Sequence, residues 1–218
     1  LEPRVDYLQM LREETERLGI LLIFDEVMCL RVGFHGAQGM LGVTPDLTTM
    51  GKIIGGGLPI GGLGGAAKFM SVFDMERGDN RVKHSGTYTA NPMSMAAGYV
   101  GMSLLTREAF ADLAAKGERV REGLEKIRYD LGIEGYVAGA ASLSALMMTP
   151  TFINNYRDLA TAVAGGMAER MGIAQRLLLE EGLLTMRGGF VGSTPMTDDD
   201  IEFTLSGTRR ALARMKNL

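Results

Sequence analysis

"GILLIFDEV", residues 19–27, is the stretch on which the fold turns. A continuous apolar run, opened by a glycine and closed by an acid, predicts a strand buried on both faces, as in a largely parallel sheet covered by helices. The run ends on Asp25, so a carboxylate stands at the carboxyl end of a strand, where open α/β sheets collect ligands. Upstream, residues 4–18 set Leu8, Leu11 and Leu18 on one stripe opposite mixed charges, the pattern of an amphipathic helix. Downstream, "LTTM" (47–50) and "IGGLGGA" (60–66) are shorter strand candidates. Asn91 as cap and Pro92 at the first helical position then open a small-residue helix that runs to Leu105. Together these elements predict an α/β fold.

The second half changes character. Residues 107–131 read as a charged amphipathic helix whose apolar stripe is Leu113, Val120, Leu124, Ile127 and Leu131. Short strands are expected near 134–138, 143–148, 183–186 and 190–193, and one long helix over roughly 161–182. A last helix starts at Thr197, with Asp198, Asp199 and Asp200 favourable to its dipole and Ile201, Leu205, Thr208, Leu212 and Met215 as its core stripe. The change of texture sets a domain boundary at 106, giving domains 1–105 and 106–218.

Composition excludes several classes of function. The 218 residues are 46% hydrophobic and 22% charged, with net charge −3 and no basic block, so nothing favours nucleic acid or an anionic membrane surface. No apolar run approaches the roughly 18 residues of a membrane span. The one cysteine, Cys29, rules out an internal disulfide and fits a reducing compartment, with the cytoplasm as the default. No His/Cys/Asp cluster has metal-ligand spacing, and Cys29, His35 and His84 read as packing or hydrogen-bonding residues.

Chemistry concentrates in "PDLTTMGKIIGGGLPIGGLGG" (45–65), where Lys52 precedes seven glycines within residues 55–65. Glycine clusters mark positive φ or close approach of backbone to a ligand. The phosphate-loop pattern fails twice, because Asp46 stands where its first glycine belongs and Ile53 follows the lysine. Gly62 to Ala67 matches the dinucleotide pattern only weakly, because residues 80–87 are polar loop where an acidic strand end is required. A third reading uses Asp25 and Lys52 together. A carboxylate and an amine at neighbouring strand ends suit pyridoxal 5'-phosphate, whose aldehyde takes the amine and whose ring nitrogen takes the acid.

The blocks "LLIFDEVMCLRVGFHGAQGMLGVTPDLTTMGKIIGGGLPIGGLGG" and "HSGTYTANPMSMAAG", in that order, resemble the class III pyridoxal-phosphate aminotransferases, in particular the group around glutamate-1-semialdehyde 2,1-aminomutase. The resemblance implies fold type I, with 1–105 as part of the large mixed-sheet cofactor domain and 106–218 as the small C-terminal α/β domain. It implies Lys52 as the Schiff-base lysine and proton shuttle, Asp25 as partner of the pyridine nitrogen, and Val27 against the ring face. Thr87, in "SGTYTANP", resembles the threonine that reaches the cofactor phosphate of the neighbouring subunit in a homodimer.

Departures from the aminomutase pattern shift the expected substrate. Cys29, Leu30 and Arg31 replace a threonine-glycine-phenylalanine-arginine run, and the following loop is one residue shorter. That looks more like the relatives that transaminate aromatic β-amino acids, and Arg187 stands where those relatives hold a substrate carboxylate. The expected activity is therefore amino transfer between an amino acid and a 2-oxo acid. The alternatives are the intramolecular aminomutase reaction, or an inactive piece kept for assembly. Members of this group carry a further segment ahead of the position of residue 1, with a phosphate-binding turn and a ring-stacking aromatic. On that resemblance the chain is expected to be a C-terminal half, inactive alone.

Overall fold

The computed structural model describes residues 3–186 and 188–215, which divide by contact into two compact units, Pro3–Phe110 and the residues from Ala111 onward. In the first unit α1 (Val5–Arg17) precedes β1 (Ile23–Asp25), α2 (Gly36–Leu41), β2 (Leu47–Gly51), β3 (Gly61–Gly65), α3 (Ala67–Met70) and α4 (Pro92–Ser103). Strand order is β1-β2-β3. β1 and β2 run parallel, with Ile23 opposite Leu47 and Asp25 opposite Thr49, while β3 returns antiparallel, with Gly65 opposite Leu47 and Gly61 opposite Gly51. This is the mixed sheet of an α/β fold.

Burial in this unit departs from expectation. Only the last three residues of "GILLIFD" form strand, and the run is not buried on both faces: Leu22 is 9% exposed, but Ile20, Leu21 and Ile23 are 53%, 43% and 52% exposed. Ile20 and Leu21 precede the strand, and β1 is an edge strand among the described residues. α1 likewise buries no residue. Leu8 and Leu11 are half-covered, while Leu18 has left the helix and is exposed. What fastens α1 is polar. Arg12 Nη1 lies 2.9 Å from Asp46 Oδ2, and the same oxygen accepts the Leu22 N–H at 2.9 Å. One carboxylate thus joins α1, the entry to β1 and the entry to β2.

The second unit has a dense interior. α5 (Arg107–Leu131) leads into β4 (Tyr136–Ala138) and β5 (Leu143–Met147), followed by α6 (Tyr156–Ala164), α7 (Met167–Glu180), β6 (Gly189–Val191) and α8 (Asp198–Met215). The three strands are antiparallel in the order β4-β5-β6. The α5 stripe buries as its spacing requires: Leu113, Val120, Leu124 and Ile127 are all buried, with Ile127 packed beside Leu146, Met148 and Leu212. In α8, Ile201, Thr208 and Leu212 are buried, and the Thr208 hydroxyl is satisfied by donating to Thr204 O at 2.7 Å. Thr197 caps α8 reciprocally: its hydroxyl accepts the Asp200 N–H while Asp200 Oδ2 accepts the Thr197 N–H.

Two expectations are corrected here. The helix over 161–182 is two helices, because Gly165 ends α6 and Gly166 adopts φ +85°, a left-handed conformation that breaks the ladder. The strand near 183–186 reduces to one isolated bridge, Met186 to Gly189. Its side chains still alternate, with Leu183 and Thr185 buried and Leu184 and Met186 exposed.

Two outcomes follow for stability. Leu212 is fully buried, so Leu212→Ala costs about 2–5 kcal/mol, whereas Leu184→Ala at an exposed position is near neutral in urea denaturation. The Leu22 N–H, and after it Arg12, holds the Asp46 carboxyl below its ordinary range. A depressed acid contributes stability above its unfolded value of about 3.9 and loses it as pH falls through the folded value. Asp46→Asn therefore lowers the melting temperature at pH 7, and its gap to wild type narrows below about pH 4. A gap that widens toward acid contradicts this.

Candidate active site

Parallel pairing decides where the candidate residues meet. Because β1 and β2 point the same way, Asp25 at the end of β1 and Lys52 directly after β2 emerge at one edge of the sheet. Asp25 Oδ1 accepts the Val27 N–H at 3.0 Å and faces the Thr49 hydroxyl at 3.3 Å. Val27 is half-buried and packs on Gly51: a Cβ added there would lie 3.3 Å from Val27 Cγ1. Asp25 thus touches β2 three residues before Lys52, and Val27 touches it one residue before. Lys52 itself is exposed and takes φ +49°, a left-handed conformation that costs a non-glycine residue about 1–3 kcal/mol.

One of the glycines after Lys52, Gly56, admits a helix. A Cβ on Gly56, at φ +56°, would lie 2.1 Å from Ala97 O, and a Cβ on Gly98 would lie 2.3 Å from Ile54 O. The turn Lys52–Gly55 and α4 therefore approach backbone to backbone, and the Ser94 hydroxyl fixes the far side by donating to Pro59 O at 2.8 Å. α4 opens as predicted, with Asn91 Oδ1 accepting the N–H groups of Met93 and Ser94. Thr87 lies on the exposed turn that leads into this helix, beside Tyr88, which is 81% exposed.

One site residue escaped the sequence. Glu26, between Asp25 and Val27, is 2% exposed, and its two carboxylate oxygens accept the N–H groups of Ala37 (2.9 Å) and Gln38 (2.7 Å) at the start of α2. Nothing in the sequence points to those partners, 11 and 12 residues away across a loop. Cys29 is exposed, and its thiol is pushed up by partial burial and then by the charges of Glu26 and Asp25, so it stays protonated at neutral pH. His35 lies 2.9 Å from Arg107 Nη2, and His84 meets Phe73 edge-on. Arg187 lies outside the described residues. Among the described residues no group of three or more His, Cys, Asp or Glu side chains can hold a metal ion, and no helix is long and apolar enough to cross a membrane. Cavities of about 460 Å³ beside Arg12 and Lys68, and about 300 Å³ beside Ser142 and Thr185, are lined by other residues than Asp25 and Lys52.

A sequence profile described as "Aminotransferase class-III" matches residues 1–189. The chain belongs to this family. Among class-III relatives, glutamate-1-semialdehyde 2,1-aminomutase 2 of Geobacillus kaustophilus is 37% identical, over 98% of this chain and 49% of its own length. An omega-transaminase from Sphaerobacter thermophilus superposes with TM-score 0.91 at 38% identity, over 100% of this chain and 50% of that one. A β-phenylalanine aminotransferase from Variovorax paradoxus gives TM-score 0.85 at 37% identity, over 97% of this chain and 47% of that one. The chain therefore spans about half the length of the relatives it matches, and its fold is that of the class-III, fold type I transferases.

The helix-to-loop approach is testable in this class-III chain by paired glycines. Gly98→Ala forces α4 off the Lys52 turn and costs about 1–3 kcal/mol. Gly172→Ala, in α7 with nothing within 4 Å of the added carbon, is neutral or stabilising by up to about 1 kcal/mol. Equal melting temperatures for the two variants contradict the close approach.

Proposed function

We propose that the protein moves an amino group between an amino acid and a 2-oxo acid, with pyridoxal 5'-phosphate tethered to Lys52. The observation that carries this reading is the shared strand edge, with Asp25 and Val27 each in contact with β2 just ahead of Lys52. The residues fit the cofactor: an exposed carboxylate steadied by an N–H and a hydroxyl, an apolar branched side chain beside it, and an exposed amine following. When bound, that cofactor supplies an electrophilic aldehyde and a ring that accepts an electron pair. Asp25 holds a proton on the ring nitrogen through its negative charge. Val27 packs on the ring face. Lys52 Nζ, once free, removes and returns the proton at the substrate carbon as general base and acid.

Further roles extend from the family membership. Thr87 donates its hydroxyl to the phosphate of the cofactor in a partner subunit, so the working protein is a homodimer. Supporting this, Thr87 sits on an exposed turn, and α4 behind it exposes Met93 (71%) and Tyr99 (77%). Arg187 holds the substrate carboxylate through its planar fork. On this reading residues 1–105 belong to the cofactor domain and 106–218 to the small domain, in a cytoplasmic enzyme whose single cysteine is free. The favoured donor is a β-amino acid, supported by the Cys29-Leu30-Arg31 segment and by the Variovorax relative. The second reading, intramolecular amino transfer, is favoured by the equally similar Geobacillus aminomutase.

Assays of the full-length enzyme separate the two readings: a β-amino acid with 2-oxoglutarate for the first, glutamate 1-semialdehyde for the second. Turnover of the semialdehyde alone overturns the transaminase reading. Lys52→Ala leaves less than about a hundredth of the activity, since a general acid–base group contributes roughly 10²–10⁴-fold. Asp25→Asn keeps the covalent link to the cofactor, trapped by borohydride and seen by mass spectrometry, yet loses proton removal in rapid mixing. Wild-type proton removal in that variant means that Asp25 is not the ring partner.

A further inference from the structure

Glu26 is a buried carboxylate to which the chemistry above assigns no role. Burying an ionised acid is unfavourable unless its oxygens are satisfied, and here each accepts a backbone N–H. The cost is carried at one place, between the two residues that face the proposed ring. The Glu26 N–H donates to Thr49 O at 2.9 Å, one step beyond the Asp25–Thr49 pair, and its C=O accepts the Leu30 N–H at 3.0 Å. The far end of the anchor is tied to the sheet as well, because Gln38 Nε2 reaches the Thr48 hydroxyl at 3.3 Å. Any rotation of the peptide after Glu26 would carry the Val27 N–H away from Asp25 Oδ1, the bond that orients the Asp25 carboxylate.

The glycine at the other end of the anchor fits it closely. Gly36 is buried at φ +67°, and a Cβ there would lie 1.9 Å from Glu26 Oε2. Gly42, at the end of α2, has nearly the same φ, +68°, and a Cβ there meets nothing within 4 Å. The two glycines thus separate backbone strain from contact with Glu26.

We propose that Glu26 is a positioning residue, whose buried carboxylate, by gripping the amides of Ala37 and Gln38, fixes the orientation in which Asp25 meets the cofactor ring. This rests on the reading of Asp25 as the ring-nitrogen partner. The grip requires two acceptors. Glutamine has one oxygen and an NH₂ group, so in Glu26→Gln a donor faces a donor at one of the two amides. The same substitution removes a negative charge next to Asp25, whose field reaches at least as far as Cys29.

The test uses the full-length enzyme. Amide hydrogen exchange on the cofactor-free protein reads the grip directly. The nitrogen-15 shift of ring-labelled pyridoxal phosphate, followed against pH in the loaded protein, reads the orientation and field of Asp25. In Glu26→Gln, exchange at Ala37 and Gln38 rises at least about tenfold, and the ring-nitrogen midpoint falls by about one pH unit, within the range by which neighbouring charges move such equilibria. The kcat falls about tenfold or more with the donor KM within twofold, the split expected when only a transition-state interaction is lost. Gly36→Ala reproduces the midpoint shift, and Gly42→Ala lowers the melting temperature without it. Unchanged exchange at the two amides overturns the proposal, as does faster exchange with an unmoved midpoint, which would make Glu26 a fold residue only. If Asp25→Asn also leaves the midpoint unmoved, the reading of Asp25 fails first and takes this proposal with it.

Discussion

The rest of the first unit depends on the two strands β1 and β2 running side by side in the same direction. Parallel neighbours need a crossover between them, and here it is the segment from Glu26 to Asp46 that carries α2. The crossover is held at both ends by carboxylates: Glu26 grips the start of α2, and Asp46 grips Arg12 and the Leu22 N–H. Antiparallel strands would have put Asp25 and Lys52 at opposite edges. Direction, more than distance along the chain, is what brings an acid and an amine 27 residues apart to the same end of the sheet.

Around that pair the backbone, rather than the side chains, does the packing. α4 is apolar all round but uses its small positions, Ser94, Ala97 and Gly98, to lie against the Lys52 turn. The glycines lower the barrier to close approach and leave the large side chains Met93, Tyr99 and Leu104 pointing outward and exposed. The second unit follows the opposite rule. Its helices bury Leu124, Leu178 and Leu212 against the antiparallel sheet, and its stability comes from apolar area withdrawn from water.

Most of this arrangement is legible in the sequence where a local rule governs it. The Asn91-Pro92 start, the α5 and α8 stripes and the Thr197 cap depend on spacing within one element and appear where the spacing puts them. Asp25 and Lys52 are legible because strand ends and glycine clusters are visible without coordinates. Other features depend on partners remote in the chain. The exposure of Ile20, Leu21 and Ile23 depends on which layers cover the sheet, and hydropathy does not encode that. Two helices stand where one was expected because Gly166 takes a left-handed φ, a choice that composition permits but does not compel. Glu26 reads as an ordinary acid after a strand, and only the fold shows its grip on Ala37 and Gln38.

The left-handed backbone at Lys52 has an evolutionary consequence. Glycine or asparagine would occupy that φ with less strain than lysine, so local stability and the chemistry proposed for Lys52 pull position 52 in opposite directions. On the proposed reading of Lys52, lysine persists there only while its amine is under selection. In a duplicated gene released from that selection, mutational drift relaxes the turn by exchanging the lysine for glycine or asparagine, and the fold gains what the chemistry gives up. On that reading the residue at this single position separates working copies from decayed ones among descendants of the same fold.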